Sequence, residues 1–266
     1  MMKKITKILA ATLTVSMLLV GCGSEPATEP EVQNSEVQMT LEENKIIVGT
    51  NAEFPPFEYV DDNGDFDGFD IAVMKEVGAR LDMEVEVSNM EFKSLIGAME
   101  AEQVDVIAAA MTVTDERKQS VDFTDSYYTS RQYLIVQKDN DTVTQAADLS
   151  GKKIAVQEGT TGDFVASGDY GTIEGADVKR FKKGADAVMD LKNGSVDAVI
   201  IDKNPAQEFV KANDDLKLIE DESATEEYAF AVQKGNTELA TAINDCLVEM
   251  KEDGTFDSLI EKYINE

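Results

Sequence analysis

Histidine and tryptophan are both absent from this chain of 266 residues, and cysteine occurs twice. Without histidine there is no Ser-His-Asp triad and no histidine-ligated zinc site. With only Cys22 and Cys246 there is no disulfide framework. Positive charge is scarce: 24 Lys and Arg stand against 53 Asp and Glu, a formal net charge of −29. Such a chain repels nucleic acid and anionic lipid, so neither is expected as a partner. Long apolar runs are missing too. The longest, Ile8 to Val20, is too short for a stable membrane span. No EF-hand suggests itself either. In the acidic stretch from Asp61, loop position six is Phe66 where calcium loops need glycine. A hairpin turn is expected there, with no metal and no cofactor.

What is present begins with a leader. Lys3, Lys4 and Lys7 precede the apolar run, which ends in Leu19-Val20-Gly21-Cys22. This run resembles a bacterial lipobox. Cleavage would remove residues 1–21 and leave Cys22 for lipid attachment; the alternative is an ordinary signal peptide with an incidental cysteine. Residues 22–44, rich in Pro, Glu, Thr, Gln and Ser, read as a flexible tether. Cys246 falls in a helical repeat with Leu239, Ile243 and Met250 and reads as a small buried apolar residue.

From Lys45 the pattern is strand, helix, strand. KIIVGT and VDVIAAA read as buried strands, and Ile71, Met74, Val77 and Leu81 form a helical stripe that Asp70 is placed to cap. The plan then repeats. KKIAVQEGTTGDFVA echoes NKIIVGTNAEFPPF, and KNGSVDAVIIDKN echoes EQVDVIAAAMTVT. Apolar strands alternating with helices mean helix-covered parallel sheets, and two sets mean two α/β lobes. Ligands of such sheets bind beyond the strand carboxyl ends. Those ends are Thr50-Asn51, Met111-Thr112, Gln157 to Thr161 and Ile201-Asp202. Tyr127 to Gln132 and Glu227 to Phe230 read as the two crossovers of a hinge. The expected division is 45–129 with 229–266 as a discontinuous first lobe, and 130–228 as the second.

AAAMTVTDERKQ places Arg117 just after a buried strand. Thr114 and Asp115 can cap a short helix there, whose free N–H groups would favour an anion. Arg117 adds a planar fork matched to a carboxylate, and the Thr112 hydroxyl can donate as well. EGTTG offers a second set of amides, and Asp202 suits an ammonium. Locally, Arg117 can instead be a surface partner of Asp115 or Asp122, and Asp202 a turn cap. Thr112 and Thr161 can be ordinary turn residues.

Four segments, GTNAEFPPFEYVDDNGDFDGFDI, AAAMTVTDERKQSVDFTDSYY, GKKIAVQEGTTG and GSVDAVIIDKNPA, follow in order. Together they resemble the polar amino-acid-binding proteins of ABC importers, over Lys45 to Tyr263. The resemblance implies an α/β, two-lobed periplasmic-binding-protein-like fold (type II), each lobe a sheet flanked by helices, joined by a two-strand hinge. It implies that Thr112, Arg117, Thr161 and Asp202 hold the main-chain groups of an amino acid, with the Ala110 carbonyl on its ammonium. It implies that Phe54 and Phe92 flank the ligand side chain; the residues alone also allow two core phenylalanines. Asn51 stands where some members carry aspartate for a cationic side chain. Glu53, Gln157 and Glu158 are nearby polar candidates for selectivity. The implied function is capture of a polar, possibly cationic, amino acid at the outer face of the membrane by a lipid-anchored monomer, with delivery to an ABC permease. The competing readings are an enzyme on the same fold, of dehydratase or cell-wall lyase type with a cleft carboxylate as acid, and an adhesin or sensor module.

Overall fold

Two sheets of one plan organise the chain in the computed structural model, which describes residues 39–170 and 173–265. The first runs in the order Glu84–Asn89, Lys45–Thr50, Val106–Ile107, Ala231–Gln233, Val121–Phe123. The second runs Asp177–Phe181, Lys153–Gln157, Ala198–Asp202, Tyr128–Gln137, Leu216–Tyr228. In each, three parallel strands are followed by an antiparallel one. The parallel strands are apolar because helices cover them; Ile46, Val48, Ile154 and Val199 are fully buried. Each such side chain contributes about 1.5–3 kcal/mol relative to an exposed one. A hairpin sheet of Glu53–Phe54, Glu58–Val60 and Phe66–Asp67 is appended to the first. Its turn is closed by Asp61, whose carboxylate accepts the amides of Asn63 and Asp65, both at 2.9 Å.

The chain passes between the sheets twice. Tyr128–Gln137 and Leu216–Tyr228 pair antiparallel from Tyr128 opposite Tyr228 to Gln137 opposite Leu216, with a break in register between Glu220 and Thr225. At the crossing, Val113 N donates to Glu227 O at 2.8 Å and Ala229 N to Met111 O at 3.2 Å. The crossing is therefore knitted to the strand end that carries Thr112. The helices Thr237–Asp253 and Thr255–Tyr263 return to the first sheet, separated by Gly254 in the left-handed region. Leu239, Ile243, Cys246 and Met250 face inward, and burial raises the Cys246 thiol above its usual pKa.

Two expectations need correction here. Asp70 does not cap its helix. The Phe69–Leu81 helix starts from Gly68, where a Cβ would meet Phe57 O at 2.3 Å, so only glycine fits. Asp70 instead turns inward, accepting from Ala110 N at 2.8 Å and from the Tyr127 hydroxyl at 2.6 Å. Residues 39–44 also belong to the packed body rather than to a flexible tether. Asp105, buried, accepts the amides of Leu41 at 2.6 Å and Ile47 at 2.7 Å, and Asn236 donates to Met39 O at 3.0 Å. A buried carboxylate that needs two N–H donors draws the segment in. The expected leader 1–21, Cys22 and the rest of the tether lie outside the described residues. Among the described residues no helix is long and apolar enough to cross a membrane.

Candidate functional site

The carboxyl ends of the strands from both sheets converge on one cavity. It is lined by Asn51, Phe54, Phe92, Ala110, Thr112, Arg117, Thr161 and Asp202, all eight residues expected to bind ligand, and by Gln157. Glu53 and Glu158 are not in its lining. They sit on the rim, paired with Lys183 at 2.6 Å and with Lys93 at 2.9 Å across the two lobes. Of the three selectivity candidates, Gln157 is the one in the lining.

Arg117 is buried, at 6 % exposure. It is no surface partner: Asp115 pairs with Lys118 at 3.6 Å and Asp122 with Lys234 at 2.5 Å. Its guanidinium donates to Thr112 O at 2.7 Å and, across the cleft, to Gly159 O at 3.1 Å. Two of its five N–H groups are thus taken and three are left. It lies over the Phe92 ring at 5.3 Å, so Phe92 supports the arginine as well as lining the cavity. At the helix start beside it, the amides of Arg117 and Lys118 are already taken. Arg117 N donates to Thr114 Oγ1 at 3.1 Å and Lys118 N to Thr114 O at 3.0 Å. In the opposite loop, Thr160 caps the Thr161–Ser167 helix, and the amides of Thr161 and Gly162 donate to no described residue.

Acceptors gather near the hinge. Asp202 ends its strand without capping the helix that follows; its Oδ1 accepts from the Tyr228 hydroxyl at 2.5 Å. Burial, and then the charge of Glu226, push its pKa well above the usual carboxylate range. Ala110, with a φ of 44°, is held by its N–H on Asp70, and its carbonyl accepts from no described residue. Asn51 joins the lobes: its Oδ1 accepts from Gln157 Nε2 at 2.7 Å while its Nδ2 donates to Met90 O at 2.8 Å.

A buried cavity carrying a forked cation from one lobe and a carboxylate from the other matches what comparison with known proteins returns. The profile for bacterial extracellular solute-binding proteins, family 3, matches residues 46–266. The chain belongs to this family. Among relatives of this solute-binding protein, the arginine-binding extracellular protein ArtP of Bacillus subtilis (strain 168) is 34% identical, covering 98% of both chains. A probable histidine-binding protein of Campylobacter jejuni is 33% identical over 98% of this chain and 99% of its own. A solved structure of a mutant ArgBP from T. maritima is 42% identical, with a TM-score of 0.78 over 84% of this chain and 96% of that one. These relatives are named for binding and not for catalysis.

Two carboxylates of the solute-binding protein's cleft escaped the sequence reading. Glu58, 1 % exposed, lines the cavity, and its Oε2 has no hydrogen-bond partner. Burial, with Asp70 and Asp202 near it, holds its carboxyl well above the usual range. Glu226, equally buried, accepts from the hydroxyls of both Thr112 and Thr161. Thr112 is therefore not a free donor, since its only proton is committed to Glu226. A signal for Glu226 did exist: in a strand it shares a face with Tyr228 and Phe230, both aromatic.

Proposed function

We propose that the protein captures a free amino acid between its lobes and presents it to an ABC permease, as a monomer anchored to the outer face of the membrane through lipid on Cys22. One observation carries the reading: a single buried cavity is lined by Arg117 from one lobe and Asp202 from the other. A free amino acid is the small molecule that brings a carboxylate and an ammonium together. Arg117, with three unspent N–H groups, takes the carboxylate beside the open amides of Thr161 and Gly162. Asp202 and the Ala110 carbonyl take the ammonium. Phe54 and Phe92 lie against the side chain, with Asn51 and Gln157 as its polar neighbours. Glu58 and Asp202 line this cavity with Glu226 beside it, against one guanidinium, and a cationic side chain would favour their ionised forms, so a polar ligand with a cationic side chain is favoured. The names of the arginine- and histidine-binding relatives support the same direction.

Calorimetric titration with the twenty amino acids tests the reading, and binding of none of them would refute it. For the anchor, Cys22→Ser should release the protein into the medium or leave the leader uncleaved. Mass spectrometry of membrane-extracted protein checks this; a mature N-terminus elsewhere than Cys22 would count against lipidation.

A further inference from the structure

Glu226 lies on the crossing strand Leu216–Tyr228 and receives donors from both lobes. Its Oε2 accepts from the Thr112 hydroxyl and from the Thr161 hydroxyl, the latter at 2.7 Å. Its Oε1 accepts from Gln132 Nε2 at 2.9 Å. A hydroxyl owns one proton and two lone pairs, and a carboxylate can only accept. Both threonines have therefore spent their protons on Glu226. What each can turn toward a molecule in the cavity is a lone pair. The Ala110 carbonyl, on the same cavity, is an acceptor too.

We propose that Glu226 is a positioning residue: by consuming the protons of Thr112 and Thr161 it fixes both hydroxyls as acceptors. The region they line then receives a group rich in N–H, an α-ammonium, and rejects an acceptor such as a keto oxygen at the same place. This rests on the amino-acid reading above. Removing the carboxylate frees the hydroxyls to rotate and to donate, so the site loses its sense of direction before it loses its shape. A group that only braced the lobes would affect every ligand alike.

The test compares an amino acid with its own α-keto acid, which keeps the carboxylate and side chain and replaces the ammonium by an acceptor. The full chain is titrated calorimetrically with all twenty L-amino acids, L-arginine first, and the tightest is paired with its α-keto acid. Wild type should prefer the amino acid by roughly a hundredfold or more, because a keto oxygen would face acceptors alone. Glu226→Ala should narrow that preference by about tenfold or more, chiefly by improving the keto acid relative to the amino acid. Glu226→Gln should keep it. The new amide oxygen can take both hydroxyls, and Gln132 can turn its Oε1, now without a partner, to accept the new N–H, giving up its own donation to Thr161 Oγ1 at 3.2 Å. Equal weakening of both ligands in Glu226→Ala, with the preference unchanged, would overturn the proposal. If Glu226→Ala does not fold, Thr112→Val decides: it should weaken the amino acid and spare the keto acid. Equal loss of both there would mean that Thr112 serves the shared carboxylate, and would overturn the proposal as well. Binding of no amino acid by wild type would instead refute the amino-acid reading, and this inference with it.

Discussion

The two lobes touch across the cleft in two different ways, at a buried floor and at a charged rim. The floor is made of neutral and charge-assisted hydrogen bonds between buried groups: Arg117 to Gly159 O at 3.1 Å, and Gln157 to Asn51 at 2.7 Å. The rim is made of ion pairs between exposed side chains, Lys93 with Glu158, Lys182 with Glu91 and Lys183 with Glu53. Rim and floor close the same gap, yet they differ in what water does to them. At the rim, solvent and salt screen each pair to little net effect. On the floor, an unmade bond leaves a buried polar group with nothing to replace it. On the proposed function, the floor would discriminate between ligands. The rim would adjust only how readily the lobes meet.

The largest break in that comparison comes from the floor's guanidinium. Arg117→Ala should weaken every amino-acid ligand by at least roughly a hundredfold, since a forked pair makes two charge-assisted bonds of about 1.5–3 kcal/mol each. Arg117→Lys should also fail substantially, because an ammonium has no planar fork. Calorimetry on both variants measures it; wild-type affinity in Arg117→Ala would mean that no carboxylate is gripped there.

Asp202→Asn attacks the other charge of the same floor and should cost about tenfold or more, one charge-assisted bond rather than two. An unchanged dissociation constant would place the ligand's ammonium elsewhere.

Beneath the floor, Asp70 sharpens the contrast through pH. Burial lifts its carboxyl to about 7, against hydrogen bonds from Tyr127 and Ala110 that pull it down. Between the unfolded value, about 4, and the folded one, the native state holds a proton that the unfolded chain has lost. The contribution of Asp70 is therefore fully present below pH 4 and is lost as pH rises toward 7. Asp70→Asn should show a shallower loss of stability across that window. Urea denaturation of both proteins at several pH values checks this; identical slopes would mean that Asp70 titrates alike folded and unfolded.

The smallest effect belongs to the rim. Lys183→Ala should change ligand affinity by less than about fivefold, and the difference should fade as salt is raised. A loss comparable to that of Arg117→Ala would erase the distinction between floor and rim.

Much of this was legible in the residues themselves. Apolar strands, helical stripes and a plan that repeats itself call for two helix-covered sheets. The residue types at the strand ends place a fork and a carboxylate where ligands of such sheets bind. The sequence also told Cys246 as a buried apolar residue, because helical spacing alone assigns a face. It misjudged Asp70, read as a cap from its position before an apolar stripe, because the close approach of the Phe57 backbone to Gly68 is invisible in one dimension. It did not show that Glu53 and Glu158 pair with lysines, because those lysines stand far along the chain.

By itself, then, the order of residues determined the sheets, their helices and the chemical kinds gathered at the strand ends, because periodicity and strand polarity are local properties. Tertiary structure alone decided how those kinds are used. Thr112 and Glu226 are 114 residues apart, and only the pairing of the crossing strand with the strand end brings one hydroxyl proton to one carboxylate oxygen. Whether a polar group gives or takes a hydrogen bond depends on its neighbour in space, and that neighbour is fixed by packing.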